Sequence, residues 1–281
     1  MKKSFFLTIA VMLLASAAMG QTTFSNKRTI TKTDRFDFRP GGTVAIVGAP
    51  NGSIEIVGST TNEVEITAEI LLQAGSEADL DELAKLTGFI TDESAARTGI
   101  LSIGNHNKFG QKKLPKNFPK LLVGLPFTIN YIVHVPRFTD VEVDGGRGDL
   151  KIGGVEGAIR VNYLESNATI EVIGGNTAIT ITKGNADVTF GTRGWRGRPA
   201  SIQLASGDLT VRLPTTASAE LDAVVLRTGM IENEFPDLKP RDRKAVFTDR
   251  SMYARVGVGG ASLKFTVGDG NLRIEPLGSR P

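Results

Sequence analysis

The 281-residue chain has 33 lysines and arginines against 30 acidic residues, a formal net charge of +3, two histidines and no cysteine. The absence of cysteine excludes a disulfide framework and a cysteine-linked lipid anchor. Removing Lys2 and Lys3 with an N-terminal leader leaves 31 basic residues against 30 acidic, which takes away the main support for a nucleic-acid partner.

Lys2 and Lys3, an uncharged run from Phe5 to Ala18, and Ala18-Met19-Gly20 ahead of Gln21 read as a secretory signal peptide over residues 1–20, its apolar core too short for a spanning helix. Residues 21–41 are polar and are expected to form an extended lead-in. Apolar alternation begins at Thr43-Val44-Ala45-Ile46 and continues through Val64-Glu65-Ile66. From Glu77 to Leu86 the period changes: Leu80, Leu83 and Ala84 take helical spacing behind Ser76, an N-cap. A lysine-rich loop follows with Lys108, Lys112, Lys113, Lys116 and Lys120, carrying Phe109 and Phe118. Helix and loop together make an insertion at about residues 74–125. A long strand then puts Phe127, Ile129, Tyr131, Val133 and Val135 on one face and Thr128, Asn130 and His134 on the other. Nothing after Leu277 reads as a membrane anchor, so the mature chain is expected to have no membrane span.

A short phrase recurs, a glycine and a small polar residue followed by two apolar residues flanking a polar one: Gly52-Ser53-Ile54-Glu55-Ile56, Gly148-Asp149-Leu150-Lys151-Ile152, Gly207-Asp208-Leu209-Thr210-Val211 and Gly270-Asn271-Leu272-Arg273-Ile274. It marks a turn followed by a strand, one unit used many times. From Val141 onward the apolar pairs fall into groups of three, with Val143 to Val172, Ile152 to Ile181 and Val161 to Phe190 each 29 residues apart. One unit buries two or three apolar side chains, about 1.5–3 kcal/mol each, against roughly 1–2 kcal/mol of backbone entropy per ordered residue, so units must stack to share a core. The expected fold is all-β: a single β-solenoid over residues 42–276 with three short strands per coil, turns at glycine, Asp and Asn, and Thr169, Thr180 and Thr189 facing outward. A two-strand coil and an antiparallel sandwich of hairpins fit the same periodicity.

Val133-His134-Val135-Pro136, Val141-Glu142-Val143 with Gly148-Asp149-Leu150-Lys151-Ile152, and Gly259-Gly260 leading to Leu263-Lys264-Phe265 and Gly270-Asn271-Leu272-Arg273-Ile274 resemble the bacterial putative-adhesin family of exported β-solenoid proteins, from about Gly42 to Glu275. The resemblance implies a non-enzymatic envelope or surface role and carries no catalytic residues across.

Other constellations have plain structural readings. Arg147-Gly148-Asp149 spells a receptor-binding tripeptide, yet its Gly-Asp half sits in the recurrent turn slot. Gly145-Gly146-Arg147-Gly148-Asp149 departs from the calcium-binding nonapeptide in the spacing of its Asp and stands alone. A polysaccharide lyase or hydrolase, the alternative in the enzyme class, needs converging carboxylates; Asp144, Asp149, Asp187 and Asp208 lie at or near turns and far apart in sequence. His106 and His134 are isolated from other ligands. Gly257-Val258-Gly259-Gly260 lacks the spacing and the helix of a dinucleotide site. No metal or other cofactor is expected.

The segment Gly191-Thr192-Arg193-Gly194-Trp195-Arg196-Gly197-Arg198-Pro199 lengthens one turn and holds the single tryptophan. Arg193, Trp195, Arg196 and Arg198 are the candidate contact residues, an indole beside guanidinium groups suited to an anionic envelope glycan or an envelope protein; the competing reading folds Trp195 back onto the core. The expected function is a secreted, non-enzymatic, adhesin-like binding or scaffold module of the bacterial envelope. End-to-end assembly through open sheet edges is a third possibility.

Overall fold

The computed structural model describes residues 26–94, 96–105, 118–192, 195, 197–235, 238–241 and 247–278. The signal-peptide segment, most of the lysine-rich loop with His106, Phe109, Lys108, Lys112, Lys113 and Lys116, and the candidate contact residues Arg193 and Arg196 lie outside the described residues.

In chain order the strands begin with β1 (Asn26–Asp37), β2 (Thr43–Asn51), β3 (Ile54–Ser59) and β4 (Glu63–Ala74). Helix α1 (Glu77–Leu86), β5 (Gly88–Glu93) and β6 (Arg97–Ile103) follow, then β7 (Phe127–Pro136), β8 (Asp140–Arg147), β9 (Leu150–Gly153), β10 (Ile159–Glu165) and β11 (Ala168–Val172). The remainder comprises β12 (Thr177–Lys183), β13 (Ala186–Phe190), β14 (Ala200–Ser206), β15 (Leu209–Leu213), β16 (Ala219–Thr228), β17 (Ile231–Asn233), β18 (Lys239–Pro240), β19 (Ser251–Val256), β20 (Ala261–Asp269) and β21 (Leu272–Pro276).

These strands form two sheets. One runs β1-β4-β7-β3-β9-β11-β13-β15-β21-β17, the other β18-β19-β16-β20-β14-β12-β10-β8-β2-β6-β5. Their middles are parallel, with antiparallel pairing at β1-β4-β7, β5-β6 and β16-β19-β18, while the β21-β17 end of the ten-stranded sheet stays parallel. Between Asp140 and Leu213 successive strands alternate between the sheets. Apolar side chains point inward from both into one continuous core that runs from Val44 and Ile54 to Phe265 and Ile274.

The all-β expectation holds, but the three-strand grouping does not. Val143 lies beside Ile46 and Val161 rather than Val172; Val161 lies beside Val143 and Ile179, and Phe190 beside Val172 in the opposite sheet. The offset between neighbouring turns is 18 residues, as between Asp149 and Asn167 or Asn167 and Asn185. Inward-facing residues alternate identically whether two or three strands complete a turn, so the spacing of apolar pairs could not decide the count.

The recurrent phrase has a direct physical cause. Apart from the passage from β6 to β7 through residues 104–126, the chain goes from the eleven-stranded to the ten-stranded sheet through two residues: Gly52-Ser53, Gly148-Asp149, Ser166-Asn167, Gly184-Asn185, Gly207-Asp208, Gly270-Asn271 and Gly229-Met230. A Cβ on Gly207 (φ 128°) would fall 1.7 Å from the Gly184 carbonyl oxygen, and one on Gly270 (φ 134°) 2.0 Å from that of Gly207, so the stack admits no side chain there. The second residue links neighbouring turns. Asn167 Nδ2 donates to Asp149 Oδ1 (3.3 Å), Asn185 Nδ2 to Asn167 Oδ1 (3.3 Å), Asp208 N to Asn185 Oδ1 (3.0 Å), Asn271 N to Asp208 Oδ1 (2.7 Å) and Met230 N to Asn271 Oδ1 (3.1 Å).

Both ends of the stack are finished differently from its middle. At the first end α1 begins at Ser76, whose hydroxyl accepts from Asp79 N at 3.2 Å, and it buries Leu80 and Leu83. Arg28 of β1 holds α1 by ion pairs to Glu77 (2.7 Å) and Asp81 (2.6 Å). Much of the expected lead-in is therefore a twelve-residue edge strand, paired along its whole length with β4. At the other end the edge strands are the three-residue β17 and the two-residue β18, the latter carrying Lys239 and Pro240, features that oppose edge-to-edge pairing. The chain does not fill this end in order: β20 and β21 lie between the pair β14/β15 and the pair β16/β17.

Candidate functional site

Between β7 and β16 the return crossings from the ten-stranded to the eleven-stranded sheet vary in length, through 137–139, 154–158, 173–176, 191–199 and 214–218. The longest, 191–199, leaves β13 just after Phe190. Gly191 N still donates to Val172 O at 2.9 Å, so the loop departs from a fixed base. With the turns 214–218 and 257–260 it frames a cleft of about 470 Å³. Trp195 lines this cleft together with Thr192, Thr216, Ser218 and the small residues Gly191, Gly197, Pro214, Ala217, Gly259, Gly260 and Ala261.

Trp195 is half-buried and packs on the core; its ring meets that of Phe190 edge-on at a centroid distance of 5.3 Å and an interplanar angle of 71°. Phe190 in turn lies 6.3 Å from Phe265. The indole N–H is buried and has no hydrogen-bond partner among the described residues. A buried donor left unpaired costs about 1–3 kcal/mol. Arg198, the other described member of the predicted set, is exposed two residues before β14. The fold thus puts Trp195 both against the core and in the wall of a cleft.

Sequence reasoning missed the opposite wall. Thr216 and Ser218 come from the turn after β15, and Gly259 and Gly260 from the turn before β20. The glycines Gly257, Gly259 and Gly260 have φ of 56°, 83° and 130° and make a turn that presents backbone to the cleft. A Cβ added at Gly259 would lie 3.3 Å from Arg255 Nε and 3.4 Å from Glu220 Oε1. There Glu220 is already paired with Arg241 (2.8 Å) and Arg255 (3.3 Å).

The corner carboxylates do not converge. Asp149 and Asp208 share one line of turns but are separated on it by Asn167 and Asn185, roughly 14 Å at the usual spacing between strands. Asp187 is paired with Arg212, which also holds the buried Glu275 at 3.0 Å, and Asp144 is exposed on the other sheet. Arg147 of the tripeptide pairs with Glu165 at 3.4 Å while Asp149 accepts from Asn167, so the stack uses both charges. Among the described residues no group of three His, Cys, Asp or Glu side chains could hold a metal. His134 is on the outer face of β7, next to Val57 and Glu65.

A second cavity of about 350 Å³ lies near the first end, lined by Phe36, Phe38, Arg39, Glu93 and Arg97 among others. Arg97 is held by Glu142 at 3.1 Å. Near the lysine-rich loop, Phe118 packs on the core, and Asn105 donates to Leu122 O (2.7 Å) and Leu125 O (3.0 Å), fixing the loop's far end.

No helix among the described residues is long and apolar enough to cross a membrane. No family model and no curated protein matches the sequence. Among solved structures the chain is similar to a "putative cell adhesion protein" from Clostridium sporogenes ATCC 15579, 12% identical, covering 88% of this chain and 100% of that one at a TM-score of 0.46. It is similar also to a "putative adhesin" from Bacteroides fragilis NCTC 9343 (11% identity, 88% and 97% coverage, TM-score 0.34) and to another from Parabacteroides merdae ATCC 43184 (9% identity, 87% and 95% coverage, TM-score 0.20). All three are structures of bacterial proteins named for adhesion.

Proposed function

We propose that the chain is an exported, non-enzymatic, adhesin-like binding module of the bacterial envelope, a β-solenoid of two strands per turn that presents the Trp195 corner to an anionic envelope glycan or an envelope protein. The observation that carries this reading is the nine-residue crossing 191–199, the longest in its line, which stands at the mouth of a cleft on an otherwise regular stack. Parallel pairing at an 18-residue offset supports the solenoid, and the charge and apolar pattern of residues 1–20 supports export. The dispersed, already paired corner carboxylates favour binding over hydrolysis.

Four measurements test it together. Intact mass of the exported protein should show a chain beginning at Gln21. Purified protein should bind envelope fractions without turning over their polysaccharides. Trp195→Ala should weaken that binding about tenfold, as expected for an aromatic anchor. Raised salt should weaken the arginine part of the interaction, because exposed charges are screened over roughly 8 Å at physiological ionic strength. Binding unaffected by Trp195→Ala would reject the corner, and release of sugar fragments would reject the non-enzymatic reading.

A further inference from the structure

We infer that the Trp195 cleft receives one uncharged, hydroxylated ring, a neutral sugar unit of a glycan, and that the arginines beside it meet charge elsewhere on the same polymer. The inference rests on the proposed reading of this corner as the contact region and goes beyond it by naming what enters the cleft.

The composition of the wall points to this class. Among the described residues that line the cleft none is ionisable. On the side of the Gly259 turn, the guanidinium groups of Arg241 and Arg255 are already committed to Glu220, so that wall offers an anion no free countercharge. A purely apolar ligand is disfavoured by the three hydroxyls of Thr192, Thr216 and Ser218 and by the backbone that the glycine turns present. An aromatic wall opposite hydroxyls and bare backbone suits a ring with an apolar C–H face and a polar rim. The volume of about 470 Å³ is in the range of small-ligand pockets and accommodates a ring with the start of a linkage. Position agrees as well: three separate turns converge here.

The sole tryptophan of the chain is in this wall, so its emission reports the site directly. The full mature protein would be titrated with the methyl glycosides of glucose, galactose, mannose and N-acetylglucosamine. At least one should saturate an emission change with a Kd on the order of 1 mM, the affinity a dozen heavy atoms can supply. That Kd should shift by less than about twofold from low to high salt, since no fixed charge is engaged. Thr216→Phe, at an exposed position, should abolish the change, and Ser218→Ala should weaken it about fivefold, the loss of one hydrogen bond. Circular dichroism of both variants would show that the fold is retained, and the Ser218→Ala result stands if Thr216→Phe fails to fold. Absence of any response to the four glycosides, or a response from a uronic acid alone that salt abolishes, overturns the inference. If the glycosides fail while Trp195→Ala still weakens envelope binding, the corner reading survives without the neutral ring. If they bind while envelope binding ignores Trp195→Ala, the ring site survives and the proposed function falls.

Discussion

Between β8 and β21 the chain crosses from the eleven-stranded to the ten-stranded sheet in two residues each time, along one side of the molecule, whereas along the other side its returns between β7 and β16 take three to nine. The short side is a closed ladder. Its glycines lie under the carbonyls of the neighbouring turn and its Asn and Asp side chains bond from turn to turn. Along the long side such contacts join only some neighbours, as where a Cβ on Gly157 would fall 2.0 Å from the Thr139 carbonyl oxygen and where Asp140 Oδ1 accepts from Ala158 N at 2.7 Å, and the crossing 191–199 carries an insertion. The contrast shows how a stack can hold register and still carry a site: one line of corners is fixed by contact with its neighbours, leaving the other free to vary in length and composition.

The largest expected effect comes from breaking the ladder at its tightest point. Gly207→Val would set a branched side chain against the Gly184 carbonyl at a φ of 128° and should cost about 4 kcal/mol or more, up to failure to fold. Gly197→Ala on the other side has only Ala261 Cβ near among the described residues, at 3.7 Å, and should cost about 1–2 kcal/mol for its φ of 67°. Equal losses in denaturant unfolding would erase the distinction between the two sides.

Next in size are the strands that both sides serve. Val161→Asp and Phe190→Asp each bury a charge in the core and should cost about 4 kcal/mol, whereas Thr189→Asp on the outer face should cost under about 1 kcal/mol. Similar losses at 189 and 190 would show the inward phase of β13 to be wrong.

Smaller again is a single rung. Asn185→Ala removes the bond to Asn167 and the acceptor for Asp208 N, and should cost about 1–2 kcal/mol; Thr216→Ala, on the variable side, should stay within about 0.5 kcal/mol. Comparable losses would mean that the ladder does not stabilise the stack.

The smallest effect at ordinary pH belongs to the buried tyrosines. Burial pushes the Tyr131 phenol up to about 12, against the lowering by its 2.9 Å bond with Ser102 Oγ, and burial with the nearby Asp149 charge pushes Tyr163 to about 12. An acid whose folded pKa is raised contributes stability that is complete below its unfolded value near 10 and is lost as pH rises toward 12. Unfolding midpoints should therefore be flat on this account to about pH 10 and fall above it, with Tyr163→Phe reducing the fall. A fall of the same size in that variant would remove Tyr163 as its cause.

What could be read from the sequence follows the same division. The fixed side announced itself as Gly52-Ser53, Gly148-Asp149, Gly207-Asp208 and Gly270-Asn271, because its geometry admits few residues. Helix α1 was legible for a similar reason: Ser76 must supply an acceptor and Leu80 and Leu83 must share a face. Edge strand β1 was read only as a lead-in, since it pairs through backbone and needs no apolar run; its threonines at 29, 31 and 33 were the available signal. The strand count per turn was misread because inward alternation is common to both arrangements. Half of the cleft was visible, in the long tryptophan-bearing crossing. Thr216, Ser218, Gly259 and Gly260 were not, because they arrive from separate turns and share no local pattern. Gly257-Val258-Gly259-Gly260 had stood out for its glycines, and its positive φ angles are the physical reason they are there.

The placement of β20 and β21 between strands that precede them in the chain sets a condition on synthesis. A chain emerging from its N-terminus makes β14/β15 and β16/β17 before the segment that must separate them exists. Until Ala261–Pro276 arrives, Phe190 lacks the Phe265 ring, and neither neighbouring pair has its final partner. Completion of the stack therefore waits on the last strands, and a product cut short before Ala261 leaves β14, β15, β16 and β17 each without its partner in β20 or β21, their edges open to proteolysis.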